Sequence, residues 1–435
     1  MKRAIAEEIV DDWHQSSVPK TILRNKRFTL PKVNKTIAIT GPRRAGKTFF
    51  MFNIINDHLS VPLSDTLYVN FEDHRIVAPT VETLDILINT YFERYPLKAS
   101  KTVYLFLDEV QNVPNWERFV RSGMDSKNIR FFVSGSSSKL LSKEIATSLR
   151  GRSITSCILP FSFKEVLMVH DIKISSSAKG RSRILSELTT YLEFGGFPEI
   201  VLEDDDFVIK EILKQYVDVM LFRDVVDRYR ITNVAVLKLL MGQMMASCAN
   251  LFSVNKFHNF LSSQGFRIDK NSLYEFVDHL VDAYGFIIVR KINRSYRSIE
   301  QGLPKIYSID MGYMMEYGLT LRDNMGRYIE NCVAVELFRR LQDNPGTALH
   351  FWRDVAGREV DFVLMKGGKP KSLIQACYDI DAAETLEREV VGLLKGSADL
   401  RCDDMIILNW NREDVIEHDG KKIELVPLWK WLLEG

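Results

Sequence analysis

Three observations predict an α/β fold for the first half of this chain. Short β-rich runs alternate with longer helical ones, a glycine-rich loop joins the first such pair, and a continuous apolar run ends in two acids. Alternation of this kind makes a parallel sheet with helices on both faces. The strands read as TIAIT (36–40), TLYVNF (66–71), TVYLFLD (102–108) and IRFFVSG (129–135). Between them FFMFNIINDHL, VETLDILINTYFERY and WERFVRSGMD carry apolar residues at helical spacing. Residues 1–35 read as a helix and a basic connector marked by Pro19 and Pro31, and the sheet domain is expected over 36–204. Gly195-Gly196-Phe197-Pro198-Glu199 punctuates its end.

Composition narrows the function classes. A chain of 435 residues is too long for one ordinary core, so two or three domains are expected. With 46% hydrophobic and 26% charged residues it has the make-up of a packed globular protein. A formal net charge of +1 provides no bulk field for polyanions, so any nucleic-acid surface has to be local. The cysteines (Cys157, Cys248, Cys332, Cys377, Cys402) lack metal-ligand spacing and point to a reducing interior. The opening MKRAIAEEIVDDW has no apolar signal core, and no window is apolar enough to span a bilayer. A cytoplasmic protein without a membrane partner is expected.

The loop Gly41-Pro42-Arg43-Arg44-Ala45-Gly46-Lys47-Thr48 fits G-x-x-x-x-G-K-S/T and lies between a strand and an apolar helix. The sheet is therefore expected to be that of a P-loop NTPase, with ATP and Mg²⁺ as cofactors. The glycines let the backbone N–H groups face phosphates at a helix N-terminus. Lys47 is expected on the β- and γ-phosphates and Thr48 on Mg²⁺. Asp108 ends a strand buried on both faces and is expected in the Mg²⁺ shell, with Glu109 as the base that orients and deprotonates water. Ser134, followed by Ser136, Ser137 and Ser138, ends the neighbouring strand and is a candidate for the γ-phosphate or the water; a solvated turn is the alternative. Arg150 and Arg152 are candidate arginine fingers into a neighbour's site, or plain surface arginines. Glu72 and Asp73 close the second strand and are candidates to support Glu109.

Residues 205–322 are mostly helical, and their later part runs helix, turn, helix, β-hairpin, the order of a winged helix. Lys256, Arg290, Lys291, Arg294, Arg297 and Lys305 are candidate DNA contacts there, Arg290 to Lys305 on a basic wing. Glu275, Asp278 and Asp282 on the second helix oppose phosphates, which leaves a partner-binding or structural role open. Residues 323–435 return to α/β, with helix ENCVAVELFRRLQD, strands ALHFWRD, EVDFVLM, SLIQACYD and MIILNW, and a charged helix.

GPRRAGKT, NFED, LFLDEVQNVPNWE, VSGSSSKLLSKEIATSLRGR, GGFPE and EVDF together resemble the AAA-superfamily ATPases of archaea and bacteria that carry a C-terminal domain of unknown function. The resemblance covers almost the whole chain. It implies an ATPase core, a winged-helix middle and a C-terminal domain similar to the restriction-endonuclease-like fold. It also implies a sensor role for Ser134, and Arg150 or Arg152 acting in trans in a homo-oligomer, a hexamer being one candidate. Against the nuclease pattern, Glu336 and Asp361 fit acidic positions, but Gln375 and Cys377 stand where an acid and a lysine are needed. A non-cleaving domain is expected, with Arg353, Arg358, Lys366, Lys369 and Lys371 available to grip a backbone. The leading expectation is a DNA-binding, oligomeric ATP-driven motor or remodelling protein. The alternatives are an ATP-dependent signalling or defence switch with a protein partner, and an ATP-dependent nuclease.

Overall fold

A computed structural model describes residues 1–96, 98, 101–126, 128–135, 149, 151–175, 177–293, 295–418 and 420–434. The chain forms two compact units, Met1–Leu159 and Pro160–Gly435.

In the first unit, β1 (Thr36–Thr40), β2 (Thr66–Asn70), β3 (Val103–Asp108), β4 (Ile129–Ser134) and β5 (Ser153–Cys157) form an all-parallel sheet in the order β2-β3-β4-β1-β5. The first four are the strands expected from apolar runs. The fifth, SITSC, is an edge strand whose middle residues are exposed, so it offers no apolar run to read. Among the described residues, helices α1 (Arg3–Gln15), α2 (Lys47–Asn53), α3 (Val81–Arg94) and α4 (Trp116–Ser126) accompany the sheet. Helix α2 runs on as a π-helical turn, Ile54–His58. Helix α1 buries Ala6, Ile9, Val10 and Trp13, a helical stripe, in the same core as the sheet. The Trp13 indole N–H donates to the Thr66 carbonyl and hydroxyl at 3.2 and 3.1 Å. The N-terminal helix is thus part of the sheet's own core. Because all strands run the same way, their C-terminal ends share one edge, where α/β sheets bind ligands.

The second unit starts with α5 (Phe163–Val169), α6 (Ala178–Phe194), α7 (Pro198–Val201), α8 (Asp206–Val219) and α9 (Val234–Ala246). Then come β6 (Asn250–Leu251), α10 (Val254–Ser263), α11 (Lys270–Asp282), β7 (Phe286–Lys291), α12 (Tyr296–Gln301) and β8 (Lys305–Ser308). The rest is α13 (Met311–Glu316), α14 (Leu321–Gln342), β9 (Thr347–Arg353), β10 (Glu359–Lys366), β11 (Lys369–Ala376), α15 (Ala383–Leu400), β12 (Met405–Asn409), β13 (Asp414–His418), β14 (Lys421–Pro427) and α16 (Leu428–Leu433). One nine-stranded sheet runs β13-β14-β12-β11-β10-β9-β7-β8-β6.

A sheet crosses one expected boundary, and the glycines expected at another lie elsewhere. β7 pairs parallel with β9, Arg290 opposite His350 and Lys291 opposite Phe351, so a single sheet passes through the boundary expected at 322/323. Gly195 and Gly196, expected to close the first domain, are bound inside the second unit. The Phe161 N–H donates to the Gly196 carbonyl at 2.6 Å, and the Gly196 N–H donates to Asp310 at 2.8 Å. Gly195 has φ +84°, and a Cβ there would lie 1.7 Å from Asp310 Oδ1. Asp310 is buried, and its other oxygen caps α13 by accepting from the Gly312 N–H at 2.9 Å.

Burial pushes the Asp310 carboxyl up to about 6, against the pull of the two backbone N–H donors. A carboxyl raised in the folded state holds its proton longer there than in the unfolded chain. Its contribution to stability is therefore complete below about 4 and lost as pH rises through about 6. Urea unfolding of wild type and Asp310→Asn from pH 4 to 7 is expected to show the wild type losing on the order of 3 kcal/mol relative to the variant across that window.

Candidate nucleotide site

The loop from Gly41 to Thr48 leaves β1 and enters α2 at the shared edge. Gly41 has φ +139°, and a Cβ there would stand 2.0 Å from the Ile158 carbonyl oxygen. That close approach follows from pairing, because Ile158 N–H donates to the Thr40 carbonyl at 2.8 Å, extending the β1–β5 ladder. Gly46 is left-handed at φ +90° and starts the helix. The Lys47 ammonium is buried over the mouth of the loop and donates to the Gly41 and Pro42 carbonyls at 3.2 and 2.9 Å. Arg43 faces Glu72 at 3.8 Å, and Arg44 is exposed with positive φ.

β4 lies between β1 and β3, so loop and acids are two strands apart, roughly 9–10 Å. Thr48 closes that gap, its hydroxyl donating to Asp108 Oδ2 at 2.6 Å. Asp108 is only 1% exposed. The donors on its carboxylate are the hydroxyls of Thr48, of Tyr68 at 2.8 Å, and of Ser134. Hydroxyls satisfy its lone pairs and leave its charge in place. A buried carboxylate and an alcohol in contact are hard oxygen donors that fit Mg²⁺. Glu109 follows in the left-handed region at φ +51°, uncommon for a non-glycine residue and frequent at working sites. Its N–H donates to Ser134 Oγ at 3.0 Å, and its carboxylate accepts from the Gln111 amide.

Several expected residues are placed differently. Ser134 is fully buried and its hydroxyl bridges Asp108 and Glu109, so it holds the acids rather than reaching for a phosphate. Asp73 is held by Arg75 at 2.8 Å, whose guanidinium also bonds Glu8 and Asp12 of α1; the Arg75 hydrogen bonds keep its carboxyl below the usual range. Asp73 is thus tied to α1 and not to Glu109. Arg152 precedes β5 at the N-terminal end of the sheet, its carbonyl accepting from the Thr36 N–H at 2.9 Å and its side chain pairing with Asp125. That is the edge opposite the loop, out of reach of its own site. Arg150, Ser136, Ser137 and Ser138 lie outside the described residues.

Two residues escaped the sequence reading. Arg24 donates to the Ala45 carbonyl at 2.9 Å and the Leu159 carbonyl at 2.6 Å, clasping the loop from the connector. Tyr68 was one aromatic among many in a β-rich run. Burial and the Asp108 charge push its phenol far up, so it stays a donor.

In the second unit the wing expectation fails at Lys305. This lysine is buried and its ammonium meets Glu330 at 2.9 Å, Asp361 at 2.8 Å, and Glu359. Burial draws the ammonium down, but Asp361 and Glu330 outweigh it and hold it well above its ordinary value. Burial and Asp361 raise the Glu330 carboxyl. Arg290 pairs with Glu300 at 3.0 Å, and Lys291 pairs into the sheet through β9. Arg294 lies outside the described residues, while Lys256 and Arg297 are exposed. Glu336, expected beside Asp361, is instead held by Arg339 and Arg340 at 3.1 and 2.9 Å; the acid of α14 that shares Lys305 with Asp361 is Glu330. The Gln375 side-chain Oε1 accepts from the Asp361 N–H at 3.0 Å, and its Nε2 donates to Glu389. Burial, with the Glu389 charge, pushes the Cys377 thiol up to about 12. Among the described residues no three His, Cys, Asp or Glu side chains are grouped to hold a metal, and no helix is long and apolar enough to cross a membrane.

Fold and loop define a chain with an AAA-type P-loop ATPase domain: residues 33–167 match the family model described as AAA domain. Residues 185–322 and 325–430 match two models described as domains of unknown function, DUF8612 and DUF4143. The chain is 38% identical over 442 aligned positions to an uncharacterized protein of Methanocaldococcus jannaschii, covering 99% of this chain and 96% of that one. It belongs to the family of that archaeal protein. It is also 26% identical over 401 positions to an uncharacterized protein of Haemophilus influenzae, covering 91% and 94%. Among solved structures it is similar to the Walker-type ATPase of Pyrococcus abyssi (13% identity, 73% of this chain, 95% of that chain, TM-score 0.43). It is also similar to the Aeropyrum pernix ORC1 protein in complex with DNA (10% identity, 74% and 92%, TM-score 0.28).

Gly41→Ala is expected to force the loop away from Ile158. Thermal unfolding should register a loss on the order of 3 kcal/mol, and titration with a fluorescent ATP analogue should show binding lost together with it.

Proposed function

We propose that this protein hydrolyses ATP and uses the cycle to move or remodel a bound partner, with DNA as the leading candidate. The observation that carries the first part is the Thr48–Asp108 contact of 2.6 Å, which brings the loop and the acidic strand into one site. Residues Gly41 to Thr48 hold the phosphates through backbone N–H groups, and Lys47 turns from its loop carbonyls to the β- and γ-oxygens. Thr48 and Asp108 hold Mg²⁺, which when bound supplies charge neutralisation on the phosphates. Glu109 orients the attacking water and takes its proton, with its backbone fixed by Ser134. Arg152, with Arg150, serves a neighbouring subunit's site, a role favoured by its position at the opposite sheet edge.

For DNA, the supporting features are local. The order α9, β6, α10, α11, β7, α12, β8, with β8 pairing both β6 and β7, supports a winged-helix reading, with a short helix where a plain wing loop was expected. Lys256, Arg297, Lys366, Lys369 and Lys371 are exposed along this unit. Exposed Glu275 and Asp278 on α11 favour a second reading, in which this surface takes a protein partner and the ATPase acts as a switch. Lys305 among the carboxylates speaks against a nuclease, since a cation of the protein's own already stands there.

Steady-state assays test the first part. Lys47→Ala is expected to abolish nucleotide binding, and Glu109→Gln to keep it while lowering kcat by at least about a hundredfold. Wild-type turnover is expected to rise several-fold with duplex or single-stranded DNA, and to lose that stimulation as salt rises. A rate indifferent to every DNA tested would move the protein to the switch reading.

The arginines give a separate test. Mixing Lys47→Ala protein with an Arg150→Ala, Arg152→Ala double variant should restore part of the activity that each lacks, because one donates arginines and the other keeps an intact loop. Full wild-type activity in a species shown by light scattering to be a monomer would remove the role in trans.

A further inference from the structure

The Tyr68 hydroxyl, from β2, takes the same Asp108 oxygen as Thr48, from α2, at 2.8 and 2.6 Å. Its ring is fixed on two sides. The Phe52 ring of α2 lies 5.0 Å away and the Trp13 ring of α1 lies 5.4 Å away, centroid to centroid. Phe52 is one helical turn beyond Thr48, so the ring packs directly behind the alcohol that meets Asp108. Trp13 is in turn anchored to the first residue of β2 through its bonds to Thr66. The phenol therefore has little freedom to leave the carboxylate. A phenol is also the donor that a cation site tolerates, because it orients a carboxylate without cancelling its charge, as a lysine or arginine would.

We propose that Tyr68 is a positioning residue for divalent-cation binding: it fixes the rotamer of Asp108 from β2, so that the carboxylate and the Thr48 oxygen stay aligned on one cation. The inference rests on the reading of Asp108 and Thr48 as the Mg²⁺-holding pair. A cation held on a Thr48 lone pair would leave the hydroxyl proton on Asp108, and Tyr68 with Ser134 would keep the carboxylate in place. Nucleotide without metal does not depend on this bond, since the backbone of the loop and Lys47 serve the phosphates.

The test uses the full chain, a non-hydrolysable β,γ-imido ATP analogue, and Mn²⁺ as the probe cation read by electron paramagnetic resonance. Tyr68→Phe keeps the ring and removes only the hydroxyl. It is expected to weaken Mn²⁺ binding to the protein–analogue complex by about tenfold, the scale for groups that orient metal ligands. Analogue affinity in EDTA is expected to stay within about twofold of wild type on the same scale. Unchanged Mn²⁺ affinity in Tyr68→Phe, with a large loss in Asp108→Ala, overturns the inference and leaves the Asp108 reading standing. An equal weakening of analogue binding in EDTA also overturns it, because the hydroxyl would then support the fold of the site in general. Wild-type Mn²⁺ affinity in Asp108→Ala overturns the Asp108 reading itself, and the Tyr68 inference with it.

Discussion

A carboxylate shut away from water needs hydrogen-bond donors from the protein, and the first unit is arranged around one. Asp108 cannot be moved without disturbing four elements. It ends β3, it is touched by Thr48 from α2 and Tyr68 from β2, and Ser134 links it to Glu109 from β4. The parallel strand order makes this convergence possible, since the strand ends share one edge and only β4 lies between the strand that leads to the loop and the strand that carries the acids. The apolar runs that fill the sheet are thus what holds a charged group where a multiply charged ligand can compensate it.

The parts of this design that were legible in the sequence are those with a local signature. The loop shows as Gly41 to Thr48 because its glycines, lysine and threonine have fixed spacing, and β1 to β4 show as apolar runs. What stayed hidden depends on contacts far apart in sequence. Arg24 reads as one basic residue in a connector, yet it clasps the loop and the segment after β5. Tyr68 reads as a strand aromatic until β2 is set beside β3. β5 was unreadable because an exposed edge strand needs no apolar alternation.

The same limit explains the errors in the second unit. A run of basic residues around a hairpin reads as a wing because charge in a loop is normally solvated. Lys305 breaks that rule, for its charge is neutralised by acids from α14 and β10 that lie 25 to 56 residues onward. Glu336 and Glu330 sit on one helix six positions apart, and only the packing of α14 decides which of them faces Asp361. With one buried ammonium among Glu330, Glu359 and Asp361, the negative charge is in excess, which is why burial and Asp361 drive Glu330 toward its neutral form.

The nine-stranded sheet has a consequence for how this protein can be inherited and dissected. Residues 185–322 and 325–430 match separate family models, as if they were two modules. Yet β7 and β9 are neighbours in one ladder, and Lys305 of β8 is locked to acids of α14 and β10. Cutting at the sequence seam would bare the backbone of both strands and leave a buried ion cluster split, a lysine on one piece and its acids on the other. Recombination is therefore constrained to exchange the two segments as a pair, and an expression fragment that respects the seam would be the one most prone to aggregate.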